Sequence, residues 1–458
     1  MAPMLARTYL LFAFLLAVPA WSQVEPEAEG GPPPVDETQM MTPPPVSGML
    51  FANTAGADVR HDYVSAALTV NAAYMDNVLP NVFSKPVSDT VFLILPSFTL
   101  DRSTTRQQVS LKYSPDFSFY VPTNVLNTAD NEYTSTSVLD AVDDDASFLY
   151  QGRISPHATV YVEDSFLKTS DVFNVGYPFA GGGITGTTQA PAPAVIAPFA
   201  QQLRNTVDAG FSYQFAANGM VGAGGSYSNY DFTNPTATGL YDSNGGDISA
   251  FYNRRMSRKQ YAGFEYDYSR TLAHPPSSEV ATQVNTLLPF YTLYFNRAFS
   301  LSVSAGAQQV SVGLTQMPAF TSWSPTAVVS LGWQNDRGDV AISYLRTDIA
   351  GQGLLTAYSS NSVNASGGWN FSRTWIAGGA FSYATISPVT SIAGLINQGA
   401  GNESTVEATL THRIGEQFTV AGGYDRLDEN YTGIPAITPN SDRVFGTVTY
   451  EFRRDLGK

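Results

Sequence analysis

The chain has 458 residues and no cysteine, which excludes disulfides, thiolate metal centres and a lipid-modified cysteine anchor. Its formal charge of −15 argues against nucleic acid, whose phosphates need a concentrated basic surface. Only 14 % of residues are charged, about half the usual share for a soluble protein, so much of the surface must face something other than water.

The first residues, MAPMLARTYLLFAFLLAVPAWSQ, have the order of a secretory signal peptide. Arg7 is positive, residues 9–18 are apolar, and small residues follow, so cleavage is expected after Ala20 or Ser22. The apolar run is well short of the roughly 20 residues that a membrane-spanning helix needs. Residues 1–22 are therefore expected to be a cleaved leader. Residues 24–48, VEPEAEGGPPPVDETQMMTPPPVSG, hold five acids, no base and many prolines. Such a stretch cannot bury enough apolar surface to order itself. Residues 23–59 are expected to form a disordered acidic segment, a spacer first and otherwise the place where a periplasmic partner would dock.

From about residue 60 to the end one unit recurs. A strand ends on an aromatic, a few turn residues with Arg or Gly follow, and another alternating strand begins. FSYQFAANGMVGAGGSY (211–227), YFNRAFSLSVSAGA (294–307), GWNFSRTWIAGGAFSYA (368–384) and LTHRIGEQFTVAGGY (410–424) are examples. Alternating strands joined by two to five residues are β-hairpins. Phe299, Leu301, Val303 and Ala305 oppose Ser300, Ser302, Ser304 and Gly306; Phe264, Tyr266 and Tyr268 oppose Glu265 and Asp267. The apolar face often holds Ala and Gly, with aromatics near its ends. A sandwich core wants larger aliphatics packed on a partner sheet, whereas a lipid-facing band has this composition.

Long Gly- and Pro-rich connections alternate with the short turns, at residues 174–200, 233–246, 272–283, 313–325, 350–360, 387–402 and 429–442. The count comes to about 18 strands, with 16 as the alternative, for an all-β, closed antiparallel transmembrane barrel over residues 60–458. Short turns would face the periplasm and long loops the outside. The first third is the least regular: Pro96 and Pro115 suit bulges or strand edges, and DAVDDD (140–145) interrupts the alternation.

The chain closes on VFGTVTYEFRRDLGK (444–458), in which Val448, Tyr450 and Phe452 share one parity. With this ending and the hairpin pattern, residues 60–458 resemble a Gram-negative outer-membrane β-barrel, porin-like, the broad group including barrels tied to exopolysaccharide export. The resemblance implies a closing strand that ends on an aromatic and is read by the barrel-assembly machinery, with outer-membrane lipid and lipopolysaccharide as surroundings. The tail RRDLGK after Phe452 departs from that pattern.

Nothing in the sequence has the form of a catalytic, cofactor or metal site, and an enzyme is not expected. His61, His157, His274 and His412 show no H-E-x-x-H spacing, and no G-x-S-x-G elbow is present. His274, in a long loop, is the residue on which a barrel hydrolase would depend. AGGGITG (180–186) lacks the Lys of a phosphate-binding loop. Charge placement says more: Arg102, Arg153, Arg254, Arg255, Arg258, Lys259, Arg297, Arg337 and Arg373 lie in or beside short turns. Parity assigns Lys112, Asp208, Glu265, Asp267, Glu407, Arg413, Asp425 and Glu451 to the lumen wall, where acids outnumber bases. The expected function is a channel for polar solutes, favouring cations or neutral molecules. An export-system barrel and a surface scaffold with a closed lumen are the alternatives.

Overall fold

The computed structural model describes residues 62–77, 87–121, 124–127, 132–135, 141–169, 202–232, 241–275, 279–296, 298–314, 319–335, 337–350, 357–389, 400–432 and 440–456. The expected leader and acidic segment lie outside these residues. The strands begin with β1 (Asp62–Met75), β2 (Asp89–Ser103) and β3 (Gln107–Tyr120). A small hairpin follows, β4 (Asn124–Asn127) with β5 (Glu132–Ser135). Next come β6 (Ala141–Ser155), β7 (Ala158–Thr169), β8 (Gln202–Ala216), β9 (Gly219–Phe232), β10 (Ser243–Ser257) and β11 (Gln260–Ala273). Then follow β12 (Val280–Tyr294), β13 (Phe299–Leu314), β14 (Phe320–Asn335), β15 (Gly338–Ile349) and β16 (Tyr358–Asn370). The last are β17 (Trp375–Pro388), β18 (Ala400–Ile414), β19 (Phe418–Thr432) and β20 (Asn440–Asp455).

Apart from the β4–β5 hairpin these strands make one antiparallel sheet of 18 strands. It closes where β20 pairs with β1, from Tyr63 opposite Asp455 to Met75 opposite Arg443. Closure leaves no open edge, the condition for strands to stand in hydrocarbon. The alternative count of 16 is thereby excluded. The strand also runs past Phe452: Arg453, Arg454 and Asp455 still pair with β1, and the Arg453 guanidinium lies 3.9 Å above the Tyr63 ring.

The register fixes the width. Passing from partner to partner once around the wall returns to β1 displaced by about 22 residues, the shear of the barrel. With strands about 4.8 Å apart and rising about 3.3 Å per residue, that shear tilts them by about 40° and sets a backbone radius of about 18 Å. Side chains from opposite walls cannot meet across such a span.

Residues paired across the ladder share a face, so the register separates outside from inside. Leu68, Val70, Phe92, Ile94, Phe299, Val303, Val329, Leu331, Val363, Phe381, Val448, Tyr450 and Phe452 lie exposed on one face. Ser300, Ser302, Ser304, Thr326 and Ser330 are buried on the other. Apolar side chains outside a closed wall are stable only in lipid.

Two belts bound the apolar band. At the short-turn end outward aromatics touch in series: Phe299 to Trp333 at 6.3 Å, Trp333 stacked on Trp369 at 6.0 Å, Trp375 on His412 at 4.2 Å, and Phe418 beside Tyr450 at 5.0 Å. Toward the long loops, four tyrosines repeat one geometry. Tyr113, Tyr266, Tyr344 and Tyr424 each donate the hydroxyl to an outward polar side chain on the next strand, respectively Asp144, Asn285, Asn361 and Asp442. Each is the seventh residue of an upward strand, and each partner lies two residues nearer the loops. From Phe418 to Arg426 the tilted strand climbs about 20 Å, close to the ~25 Å band of a membrane barrel.

The irregular first third is corrected by the structure. Pro96 and Pro115 sit inside full-length strands, and the register on either side places them opposite each other, facing out. The β2–β3 ladder breaks between the Ile94–Phe117 and Phe98–Tyr113 pairs and resumes unshifted. Proline lacks the N–H for a ladder bond; confining two of them to one gap interrupts a single seam. AVDDD (141–145) opens β6, whose ladder to β3 is unbroken, with Asp143 and Asp145 inward and Asp144 outward; Asp140 lies outside the described residues. Several loops are shorter than expected because strands extend into the Ser-, Thr- and Asn-rich stretches beyond the apolar band, as at 274–279 and 315–319.

Between the 18 strands of the barrel, the turns of two to four residues all lie at the end where β1 starts and β20 stops, and the longer connections all lie at the other. Because the chain has no cysteine, single reporters are clean. On intact cells a membrane-impermeant maleimide is expected to label Glu279→Cys, at the long-loop end, and not Thr374→Cys, in the β16–β17 turn. The reverse pattern would invert the topology.

Candidate functional site: the lumen wall

The side chains opposite the apolar band line the lumen. Lys112 on β3 bonds Asp145 on β6 at 3.0 Å. Asp208 on β8 stands opposite Glu163 on β7. Glu265 and Asp267 lie two residues apart on the same face of β11. Glu407 on β18 stands opposite Asp425 on β19, and Asp425 is held by Arg443 on β20, with Nη2 at 2.6 Å and Nε at 2.7 Å. Arg413 and Glu451 lie near the short-turn end, their backbone N–H groups bonded to Thr374 and Gln417. The eight residues thus fall into separate groups rather than one cluster.

Parity reading passed over acids such as Asp145, Glu163, Asp247, Glu403 and Glu429, and the bases Arg153, Arg204, Arg255, Arg443 and Arg453, all on the inward face. The signal was the same alternation, weakened in β7 because outward positions also carry Asp164 and Lys168. Among the described residues, ion pairs with bases take up Asp145 and Asp425, while none reaches Glu163, Asp208, Asp247, Glu265, Asp267 or Glu407. The interior field is therefore negative.

The wall also carries a repeated packing device. Inward aromatics lie across the glycine directly opposite: Tyr161 across Gly210, Phe251 across Gly222, Phe290 across Gly263 and Phe445 across Gly423. A Cβ on each glycine would fall 2.2 to 2.5 Å from the ring. Cross-strand ring packing of this kind pins register and keeps the rings against the wall.

At the long-loop end the wall turns inward. The β14–β15 ladder stops at Ala327 opposite Arg346, although β14 begins at Phe320 and β15 continues to Ile349. Beyond that point Asp348 comes over the inner face of β13. There the Gln308 side chain clamps its backbone, donating from Nε2 to the Asp348 carbonyl at 3.0 Å and accepting its N–H at 2.7 Å. Ser324 donates to the Asp348 carboxylate. Ala357, just before β16, packs with the buried Ala273, Val280, Val284, Val310 and Val312 of β11–β13, and Val389 joins them. The tips of β15–β17 thus narrow the mouth. No sequence pattern announces this, because its contacts join residues 40 positions apart.

Two of the described histidines stand far apart, and His61 lies outside the described residues. His274 Nδ1 lies 3.4 Å from Glu279 at the long-loop end, and His412 stacks on Trp375 outside the barrel. Among the described residues no three or more His, Asp or Glu side chains are placed to hold a metal ion.

No family model matches the chain, and no curated protein does. Solved structures do resemble it. The crystal structure of Pseudomonas aeruginosa OpdK with vanillate aligns at 10 % identity and a TM-score of 0.39, covering 85 % of this chain and 99 % of that one. Acinetobacter baumannii OccAB4 aligns at 10 % and 0.39, covering 86 % and 99 %. The FrpB iron transporter of Neisseria meningitidis aligns at 8 % and 0.43, covering 86 % and 83 %. Likeness at this level does not bear on what the lumen admits.

Proposed function

We propose that the protein is an outer-membrane channel for polar solutes that favours cations. One observation carries this reading: a closed wall of 18 strands, apolar outside, whose inner face holds carboxylates in excess of bases. A barrel of that size leaves an aqueous interior, and a field set by unbalanced carboxylates raises the local concentration of cations. The negative wall also speaks against a solute carrying several negative charges, which weighs against passage of an anionic polysaccharide. A barrel serving only as a scaffold would not conduct. Purified, refolded protein in planar bilayers is expected to give discrete conductance steps; their absence would leave the scaffold in front.

The inturned mouth gives a second expectation. Gln308→Ala removes both bonds to the Asp348 backbone, each contributing about 1 kcal/mol. The tips of β15–β17 should loosen and the conductance rise, while the barrel stays assembled. A conductance equal to that of the parent would show that the clamp does not limit flow.

A further inference from the structure

The inward face of β9 is unlike the rest of the wall. Gly224, Ser226 and Ser228 follow one another with no bulky side chain between them, while Gly222 below them lies under the Phe251 ring. Acids stand on both sides. Asp208 on β8 and Asp247 on β10 both pair with Ser226, one on each flank, and Glu163 lies beyond Asp208. Asp267 and Glu265 continue the row on β11, stepping toward the short-turn end. Asp208 and Asp247 are two strand spacings apart, about 10 Å. The strip is therefore a shallow trough with a small-residue floor and carboxylate sides.

Two half-buried rings close it off, Tyr161 on the β7 side and Phe251 on the β10 side, each lying across a glycine of the neighbouring strand. At its lower end Glu265 is 2 % exposed, and its Oε2 is buried without a hydrogen-bond partner. An Oδ1 of Asp267 is in the same position. A buried carboxylate oxygen with no donor is costly unless a cation or a donor meets it. Ser226 supplies such a donor to Asp247 and to no other acid of the row among the described residues.

We propose that this trough binds small organic cations, amines or guanidinium compounds with a short apolar stem, on their way through the lumen. The acids are spread over β7–β11 and do not converge on a point, so they suit an elongated ligand rather than a metal ion. Carboxylates receive the N–H donors in charge-assisted bonds, ring faces attract the cationic head, and the small residues Gly224, Ser226 and Ser228 let the stem lie close to the wall. The inference rests on the channel reading only in requiring that the lumen be open to solutes.

Equilibrium binding of agmatine, which carries an amine and a guanidinium on a four-carbon stem, tests the site without requiring conduction. Titration calorimetry of the folded, detergent-solubilised full chain at low salt is expected to show saturable binding, and none of glutarate. Folding is read from heat-modifiable migration on a gel. Asp208→Asn/Asp267→Asn should weaken binding by about tenfold or more. Tyr161→Leu, which leaves the charge unchanged, should weaken it several-fold, whereas Glu416→Gln in the β18–β19 turn should not. No binding by the folded parent, or equal binding by the double variant and the parent, would overturn the inference even if the channel conducts. Unaltered binding by Tyr161→Leu would reduce the trough to a diffuse negative field and overturn it too. Binding in a protein that does not conduct would uphold the site and refute the channel.

Discussion

Gly306→Val should abolish assembly of the barrel, while Gly446→Val should be tolerated. Both glycines sit in the middle of strands, yet their surroundings differ. A Cβ on Gly306 would lie 1.8 Å from the Leu287 carbonyl oxygen and 2.9 Å from its carbon, atoms of the β12 backbone that cannot rotate away. The β12–β13 ladder is already interrupted there, between the Leu287–Ala307 and Phe290–Ser304 pairs around Pro289. Making room would part the two strands by more than an ångström, and ordinary overpacking costs about 1–3 kcal/mol even where side chains can yield. A Cβ on Gly446, on the outward face of the closing strand, would meet nothing within 4 Å. Heat-modifiable migration of the two variants checks the contrast. Comparable assembly would mean that the β12–β13 contact is not as close as described.

The second large effect concerns which face meets lipid. Leu301→Arg should impair insertion far more than Ser302→Arg, although the two residues are neighbours on β13. Leu301 pairs with Leu331 on the outer face, between the belt at Phe299 and the loops; Ser302 pairs with Ser330 and is buried inside. Arginine on the lipid face costs about 2–4 kcal/mol at the bilayer midplane and less toward the interface; Leu301, two residues above the belt at Phe299, falls between these limits, whereas a lumen position can hydrate the charge. The amount of folded protein in the membrane fraction measures the difference. Equal yields would mean that the faces are misassigned.

Much of this architecture was legible from a period of two. Phe299, Leu301 and Val303 against Ser300, Ser302 and Ser304 carry the face assignment in the sequence itself, and Val448, Tyr450 and Phe452 mark the outer face of the closing strand. Such a signal is local, and the residues that defeated it answer to partners far along the chain. Pro96 and Pro115 look like strand breakers singly and become tolerable only because the β2–β3 register sets them opposite each other. Asp247 gains its meaning from flanking the small-residue face of β9 opposite Asp208, and Glu163 from lying beyond Asp208 on the next strand. The inward turn of β15 depends on Gln308, two strands away. Strand ends were blurred for another reason: above the tyrosine belt both faces meet polar surroundings, so the alternation that marks a strand fades before the strand does.

The sign of ion selectivity tests the central claim most directly. Reversal potentials across a potassium chloride gradient, taken in dilute electrolyte because fields are screened over about 10 Å at 0.1 M, should show the parent protein preferring potassium to chloride. Glu265→Gln/Asp267→Asn removes two of the wall acids that no ion pair with a described base neutralises, and should move the reversal potential toward zero. A chloride preference in the parent would contradict the account of a lumen governed by its carboxylates.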